Sequence, residues 1–204
     1  MFTGIVAAVG RIHQVDPIAG GSGMRLRVDA GALDLADVGI GDSIAIQGAC
    51  MTVVALADRS FDVEVSRESL GLTVGLDTPA DVNLEKAMTL ADRLGGHLVS
   101  GHVDGLGEVT RFEPAGESRL LEIRVPDSLA RFFAYKGSVT IDGVSLTVNR
   151  VRDEPAGTVI AINLIPHTIE VTTLRRLVPG ARVNLEVDQI ARYVERIMQS
   201  RQGS

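Results

Sequence analysis

The chain carries its own sequence twice. Phe2-Thr3-Gly4-Ile5-Val6, followed by Val9-Gly10, returns as Val99-Ser100-Gly101-His102-Val103 followed by Leu106-Gly107. Ser43-Ile44-Ala45-Ile46-Gln47-Gly48-Ala49-Cys50-Met51-Thr52-Val53 returns as Ser138-Val139-Thr140-Ile141-Asp142-Gly143-Val144-Ser145-Leu146-Thr147-Val148, and Val82-Asn83-Leu84-Glu85 as Val183-Asn184-Leu185-Glu186. Blocks that recur in one order divide the 204 residues into two related units of roughly 90 to 100 residues, each able to bury a core without staples. Such a repeat predicts paired pockets for two related molecules. Cys50 against Ser145 at the matching position predicts that the pockets do different work.

Most segments read as strands, short, rich in β-branched residues and bounded by Gly, Pro or Asp. The first unit predicts strands near Phe2 to His13, Met24 to Val28, Ser43 to Gln47, Met51 to Leu56, Phe61 to Val65 and Asp81 to Leu84. The second predicts Val99 to Arg111, Leu120 to Val125, Ser138 to Ile141, Ser145 to Val151, Val159 to Leu164 and Arg182 to Val187. Six strands per unit are too few residues for two layered sheets, and closure removes exposed edges, so the expected fold is all-β: two small six-stranded barrels in tandem. Gly48 and Gly143 fall between consecutive strands and place the residues after them at a barrel rim. Short helical turns are expected at Ser66 to Leu72, Ser128 to Phe133 and Thr168 to Leu174.

From Gln189 the pattern changes. Ile190, Tyr193, Val194, Ile197 and Met198 share one helical face opposite Arg192, Glu195 and Arg196, with Asp188 placed to cap the helix. That face needs a cover, either its own barrel or another subunit, and self-association is the expectation. The domain boundaries follow: residues 1–96, with Gly95-Gly96 ending the Lys86 to Gly96 connection, residues 97–187, and a helix and tail over 188–204.

Composition excludes several roles. A net charge of -6 without a basic stripe opposes nucleic-acid binding. One cysteine rules out an internal disulfide and fits a reducing compartment. The opening residues lack the charged region of a signal peptide, and no run is long enough to span a bilayer, so a soluble cytoplasmic protein is expected. His97 and His102 have no carboxylate or cysteine at ligand spacing, so no metal is expected.

These blocks resemble the riboflavin synthase family, the lumazine-binding two-barrel proteins. The matching residues are Met1 to Val6, Gly48 to Val53, Gly95 to Val103, Asp142 to Val148, Leu164 to Thr168 and Val183 to Asp188. The likeness runs in the family's order from Met1 to about Met198. It implies Greek-key barrels and a C-terminal helix that assembles a homotrimer. It also implies one 6,7-dimethyl-8-ribityllumazine per barrel, and a reaction where the N-terminal barrel of one subunit faces the C-terminal barrel of its neighbour. One lumazine gives a four-carbon unit to another, leaving riboflavin and 5-amino-6-ribitylamino-2,4(1H,3H)-pyrimidinedione, with no cofactor.

Each candidate residue has a plain structural alternative. Cys50 reads as a small buried hydrophobe or, with its counterpart Ser145, as a group that assists addition at the acceptor lumazine. His102 reads as a backbone-bonded histidine or as the base that takes or returns a methyl proton; the structural reading is stronger for His97. Thr147 lies on the face of Ser145, and Thr52 on that of Cys50, as strand residues two apart. The resemblance adds Ser43 as a pocket neighbour of Cys50 and gives Asp188 a place at the site besides its capping role. It brings Phe2, Thr3, Gly4 and Ile5 to the catalytic interface and places Gly101 and Val103 among the substrate contacts. It assigns Glu68, Ser69, Ile165, His167 and Thr168 to ribityl or ring contacts. Ser69 stands where the family has threonine, and the following basic residue is missing. Rival readings are a non-catalytic, lumazine-binding fluorescent protein and a two-barrel interaction module that binds no pterin-like ligand.

Overall fold

The computed structural model describes residues 1–202. The first unit contains β1 (Ala8–Pro17), β2 (Gly23–Asp29), β3 (Ser43–Ile46), β4 (Ala49–Ala57), β5 (Ser60–Ser66), α1 (Arg67–Leu72) and β6 (Ala80–Lys86). Its strands close as an antiparallel barrel in the order β1-β2-β5-β4-β3-β6. Ile12, Leu26, Val28, Ile44, Ile46, Val53, Phe61, Val63, Val82 and Leu84 fill it, and each is at most 1% exposed. Register shifts between Ile12 and Gln14 and between Val53 and Ala55 bend the strands to close so small a barrel.

The second unit contains β7 (Gly105–Ala115), β8 (Ser118–Arg124), α2 (Asp127–Ala130), β9 (Ser138–Ile141), β10 (Val144–Thr147), β11 (Arg150–Glu154), β12 (Gly157–Leu164), α3 (Pro166–Val171) and β13 (Arg182–Val187). Its sheet runs β10-β9-β13-β7-β8-β12-β11 and is not closed by hydrogen bonds. The expected strand Ser145 to Val151 is therefore split into β10 and β11. Asn149 stands where the first unit has Val54. Its side chain accepts the Asn163 N–H at 3.0 Å, a local alternative to the ladder, while its own N–H donates to Ala161. The two ends of the sheet remain consecutive in the chain.

Three further expectations are corrected. The opening strands begin at Ala8 and Gly105, not at Phe2 and Val99. Phe2 and Val99 form an isolated bridge between the units, so each opening segment crosses to the other unit before joining its own sheet. The turn expected over Thr168 to Leu174 is α3 followed by a separate 3₁₀ turn, Thr173–Arg176, and the one at Ser128 to Phe133 is shorter, ending at Ala130.

The units meet turn to turn. Gln47-Gly48 and Asp142-Gly143 have positive φ at both positions, as a two-residue hairpin with the right strand twist requires. A methyl group on Gly48 would lie 2.7 Å from Gly143 N, so only glycine allows the approach. Around these turns two asparagines reach across in opposite directions. Asn83 Nδ2 donates to the Asp142 carbonyl at 2.8 Å and Asn83 Oδ1 accepts from Thr173 N at 2.8 Å. Asn184 Nδ2 donates to the Gln47 and Val74 carbonyls at 2.9 and 3.1 Å, and its Oδ1 accepts from Val74 N at 2.8 Å. Both side chains are buried, so their polar atoms rely on these bonds rather than on water.

The last element is α4 (Gln189–Gln202). Asp188 Oδ1 accepts the Ile190 N–H at 2.8 Å and caps it. Arg192 pairs with Asp104 at 2.7 Å and Glu195 with Arg131 at 3.4 Å, so the charged side of the helix faces the second unit. Ile190, Tyr193, Val194, Ile197 and Met198 are 49 to 67% exposed. The apolar face is therefore not covered by its own barrel. Among the described residues no helix is long and apolar enough to cross a membrane. The expected tail at Gly203 and Ser204 lies outside the described residues.

Candidate active site

The crossing of the opening segments builds two related sites. In each unit the last strand carries a polar residue pair on its outward face, Asn83 and Glu85 on β6, Asn184 and Glu186 on β13, buried by the other unit and by these segments. Glu85 accepts from Thr3 N and Thr3 Oγ1 at 2.7 and 2.6 Å and from Gly4 N at 2.9 Å. Glu186 accepts from Ser100 N, Gly101 N and His102 N at 2.6, 2.9 and 3.0 Å. Burial raises both carboxyls against these donors, Glu186 up to about 7, with Asp104 adding to the rise.

The held segments then lie against the strand that follows each turn. Cys50 N donates to the Gly101 carbonyl at 2.8 Å, and Ser145 N to the Gly4 carbonyl at 2.7 Å. Gly4 and Gly101 have φ of +75° and +78°. A Cβ on Gly101 would fall 2.7 Å from Cys50 Cβ, and one on Gly4 2.6 Å from Ser145 Cβ. Cys50 and Ser145 are thus equivalent in the fold, each docked on the opening segment of the other unit.

On the first-unit side, Cys50, Glu68, Ser69, Gly101, His102 and Val103 line one cavity of about 330 Å³. The residues expected there converge from β4, α1 and the second opening segment. Ser66 Oγ caps α1 by accepting the Ser69 N–H at 3.1 Å and lies 3.0 Å from Ser69 Oγ. Phe2 does not line the cavity. It is fully buried with Ala45 and Val99, and the half-buried Cys50 packs on that cluster. Ser43 lies opposite Thr52 rather than beside Cys50 and opens on another cavity, of about 890 Å³, with Thr3, Ile5, Glu85 and Lys86. Thr52 is exposed and outside the Cys50 cavity.

On the second-unit side, Ser145 Oγ lies 2.7 Å from His97 Nδ1, and His97 Nε2 lies 3.3 Å from Thr140 Oγ1. Burial lowers the His97 pKa, with the Asp188 carboxylate opposing it; this favours the neutral ring, in which one nitrogen donates and the other accepts. The structure places His97, the histidine with the stronger structural reading, against the serine, and His102, exposed, at the first-unit cavity. Thr147 is exposed opposite Ser138. Ile165, His167 and Thr168 open α3 as Ser66, Glu68 and Ser69 open α1. In each, a threonine ends the helix by donating to the carbonyl four residues back, Thr73 to Ser69 at 2.7 Å and Thr172 to Thr168 at 2.6 Å.

Sequence reasoning missed Glu85, Glu186 and Thr140, and gave His97 a structural reading only slightly opposed by a functional one. For the glutamates the signal was present: an acidic residue closes the same strand in both units, and a carboxylate repeated beside Val and Leu needs buried donors.

Comparison with known proteins agrees with this architecture. The model of the lumazine binding domain matches residues 3–87 and again 100–188. The riboflavin synthase of Photobacterium phosphoreum is 45% identical over 200 residues, covering 97% of this chain and 89% of that protein. That of Mycobacterium bovis is 43% identical over 203 residues, covering 98% and 99%. Crystal structures of LumP complexed with 6,7-dimethyl-8-(1'-D-ribityl)lumazine and with riboflavin match the fold with TM-scores of 0.78 and 0.79, at 23% and 24% identity. Each alignment covers 92% of this chain and 99% of the other.

Proposed function

The chain belongs to the riboflavin synthase family of transferases, built on two lumazine-binding domains, and from that premise we propose that it dismutates 6,7-dimethyl-8-ribityllumazine. A four-carbon unit passes from one lumazine to a second, giving riboflavin and the ribitylamino-pyrimidinedione. The observation that carries this reading is the pair of equivalent but unlike sites: one fold position, docked on the opposite opening segment, holds a thiol at Cys50 and a hydroxyl at Ser145. Two copies of one substrate need opposite roles, and unequal pockets in a repeated frame supply them.

The chemistry asks for positioning and proton transfer. The electron-poor lumazine ring makes its 7-methyl group a carbon acid, so a base and hydrogen bonds to the ring carbonyls stabilise the anion. His102 at the cavity mouth is our choice for moving that proton, and Cys50 for assisting addition at the acceptor or polarising a water. Ser145, with its hydroxyl against His97, binds the partner ring. Glu68, Ser69 and Val103 contact the first lumazine, and Ile165, His167 and Thr168 the second. Holding the two rings together recovers several kcal/mol of a bimolecular barrier.

We assign residues 1–96 and 97–187 to the two lumazine-binding barrels and 188–204 to assembly. A homotrimer formed through the exposed apolar face of α4 brings the first unit of one subunit to the second unit of its neighbour, and the enzyme works in the cytoplasm without a cofactor. The test is incubation of the purified protein with the lumazine alone, followed by absorbance. One riboflavin for every two lumazines consumed is the expected result. Tight binding without turnover would replace this reading with that of a lumazine carrier.

A further inference from the structure

We propose that Arg192, on α4, is a positioning residue for the Cys50 cavity, acting through Asp104 on the segment that carries His102. This rests on the synthase reading above for its kinetic consequence, while its structural consequence stands alone.

The segment from Ser100 to Asp104 is a short wall. Gly101, His102 and Val103 line the cavity together with Ser69 and Leu72 of the first unit. Glu186 fixes its upstream end through three successive N–H groups, and Cys50 N fixes the Gly101 carbonyl. Its downstream end is fixed at Asp104. The Asp104 N–H donates to the Leu185 carbonyl at 2.7 Å, and Oδ2 accepts from Val187 N at 2.9 Å. Arg192 closes a fork on the same carboxylate, Nη1 to Oδ1 at 2.7 Å and Nη2 to Oδ2 at 2.8 Å. The Asp104 side chain is only 12% exposed. This is a two-pronged geometry that a lysine cannot reproduce.

The first turn of the helix therefore grips both ends of the wall, because Gln189 Nε2 also donates to Ser100 Oγ. Between these grips stands His102, whose ring no neighbour holds in a hydrogen bond among the described residues, so its place is set by the backbone on either side. A shift of α4 moves that backbone. The helix exposes an apolar face on its far side, so whatever holds the helix also holds the wall of the cavity. Arg192 is the side chain that transmits this to the downstream end.

The test uses the full-length protein and its single cysteine. Arg192→Ala, Arg192→Lys and the parent are compared by steady-state kinetics with the lumazine and by the rate at which iodoacetamide alkylates Cys50. Oligomeric state and urea unfolding are measured alongside. Freeing the wall exposes Cys50 more often, so we expect Arg192→Ala to be alkylated about tenfold faster, which corresponds to about 1.4 kcal/mol of local opening. KM is expected to rise by a similar factor and kcat to fall with it, since the freed wall carries both cavity-lining residues and His102, the proposed proton carrier. Arg192→Lys recovers part of both effects. Unchanged alkylation in Arg192→Ala overturns the proposal, and so does a change that only tracks loss of global stability. If the parent itself makes no riboflavin, the synthase reading fails, and the alkylation rates still decide this inference. Should Arg192→Ala not fold, Asp104→Asn, which keeps an oxygen for the Val187 N–H, carries the same expectation.

Discussion

Replacing Gly101 by alanine tests the contact on which the first site is built. Gly101 and Gly20 have nearly the same φ, +78° and +81°, so each Gly→Ala change meets a left-handed cost of roughly 1 to 2 kcal/mol. Gly20 has nothing within 4 Å of an added Cβ, and its variant measures that cost alone. At Gly101 the methyl would also meet Cys50 Cβ at 2.7 Å, Cys50 N at 2.9 Å and Phe2 Cε2 at 2.9 Å. None of these is the loose end of a flexible chain, and Phe2 is fully buried. Overpacking of this kind costs about 1 to 3 kcal/mol. Prying the Gly101 carbonyl from Cys50 N adds about 1 kcal/mol. We therefore expect Gly101→Ala to be about 2 to 4 kcal/mol less stable than Gly20→Ala, measured by urea unfolding at a fixed protein concentration. A difference below about 1 kcal/mol would show that the opening segment moves off Cys50 freely and would refute the docked geometry.

Burial pushes the Asp142 carboxyl up to about 7 from an ordinary 3.8. Between those values the folded chain keeps a proton that the unfolded chain releases, so this contribution is whole below about pH 4 and declines at about 1.4 kcal/mol per pH unit until pH 7. Asp142→Asn tolerates the positive φ and still accepts the Asn184 N–H. It should match the parent in acid and exceed it above pH 7, leaving a slope of the same sign from Glu186; unfolding curves from pH 5 to 8 that stay parallel to those of the parent would contradict this. Asn184→Ala strands the Gln47 and Val74 carbonyls and the Val74 N–H, and calorimetry should register a loss of about 2 to 4 kcal/mol. Val194→Asp puts a charge on the exposed face of α4, and sedimentation should show dissociation with an unchanged circular dichroism spectrum; an intact oligomer would place the assembly surface elsewhere.

Much of this was legible in the residues. Short β-branched-rich segments bounded by Gly, Pro or Asp located most of the ladder strands, and the Gly48 and Gly143 turns fell where expected because two-residue hairpins demand positive φ. The convergence of Glu68, Ser69 and His102 near Cys50 was readable only through the family resemblance, since α1 and the second opening segment are far apart in sequence. What stayed hidden was the exchange of opening segments between units. Phe2 to Val6 has the composition of a strand, and nothing local says that its partner lies in the other half. Ser43 enters only through the family resemblance; strand pairing sets it opposite Thr52, two pairs along from Cys50. The break at Asn149 was missed because one asparagine competing for a ladder donor leaves no periodic trace.

The asparagine clasp has a consequence for how such a chain could arise. Asn83 takes from the second unit the equivalents of what Asn184 takes from the first: the carbonyl of a hairpin turn residue or its neighbour, and an amide just after a short helix. A half-length chain holding one turn, one such amide and one asparagine already contains both sides of the contact, and two copies would join about a twofold axis. In that dimer every substitution appears in both pockets at once. Joining the halves end to end fixes their stoichiometry and breaks that constraint, so a thiol can persist in one pocket and a hydroxyl in the other.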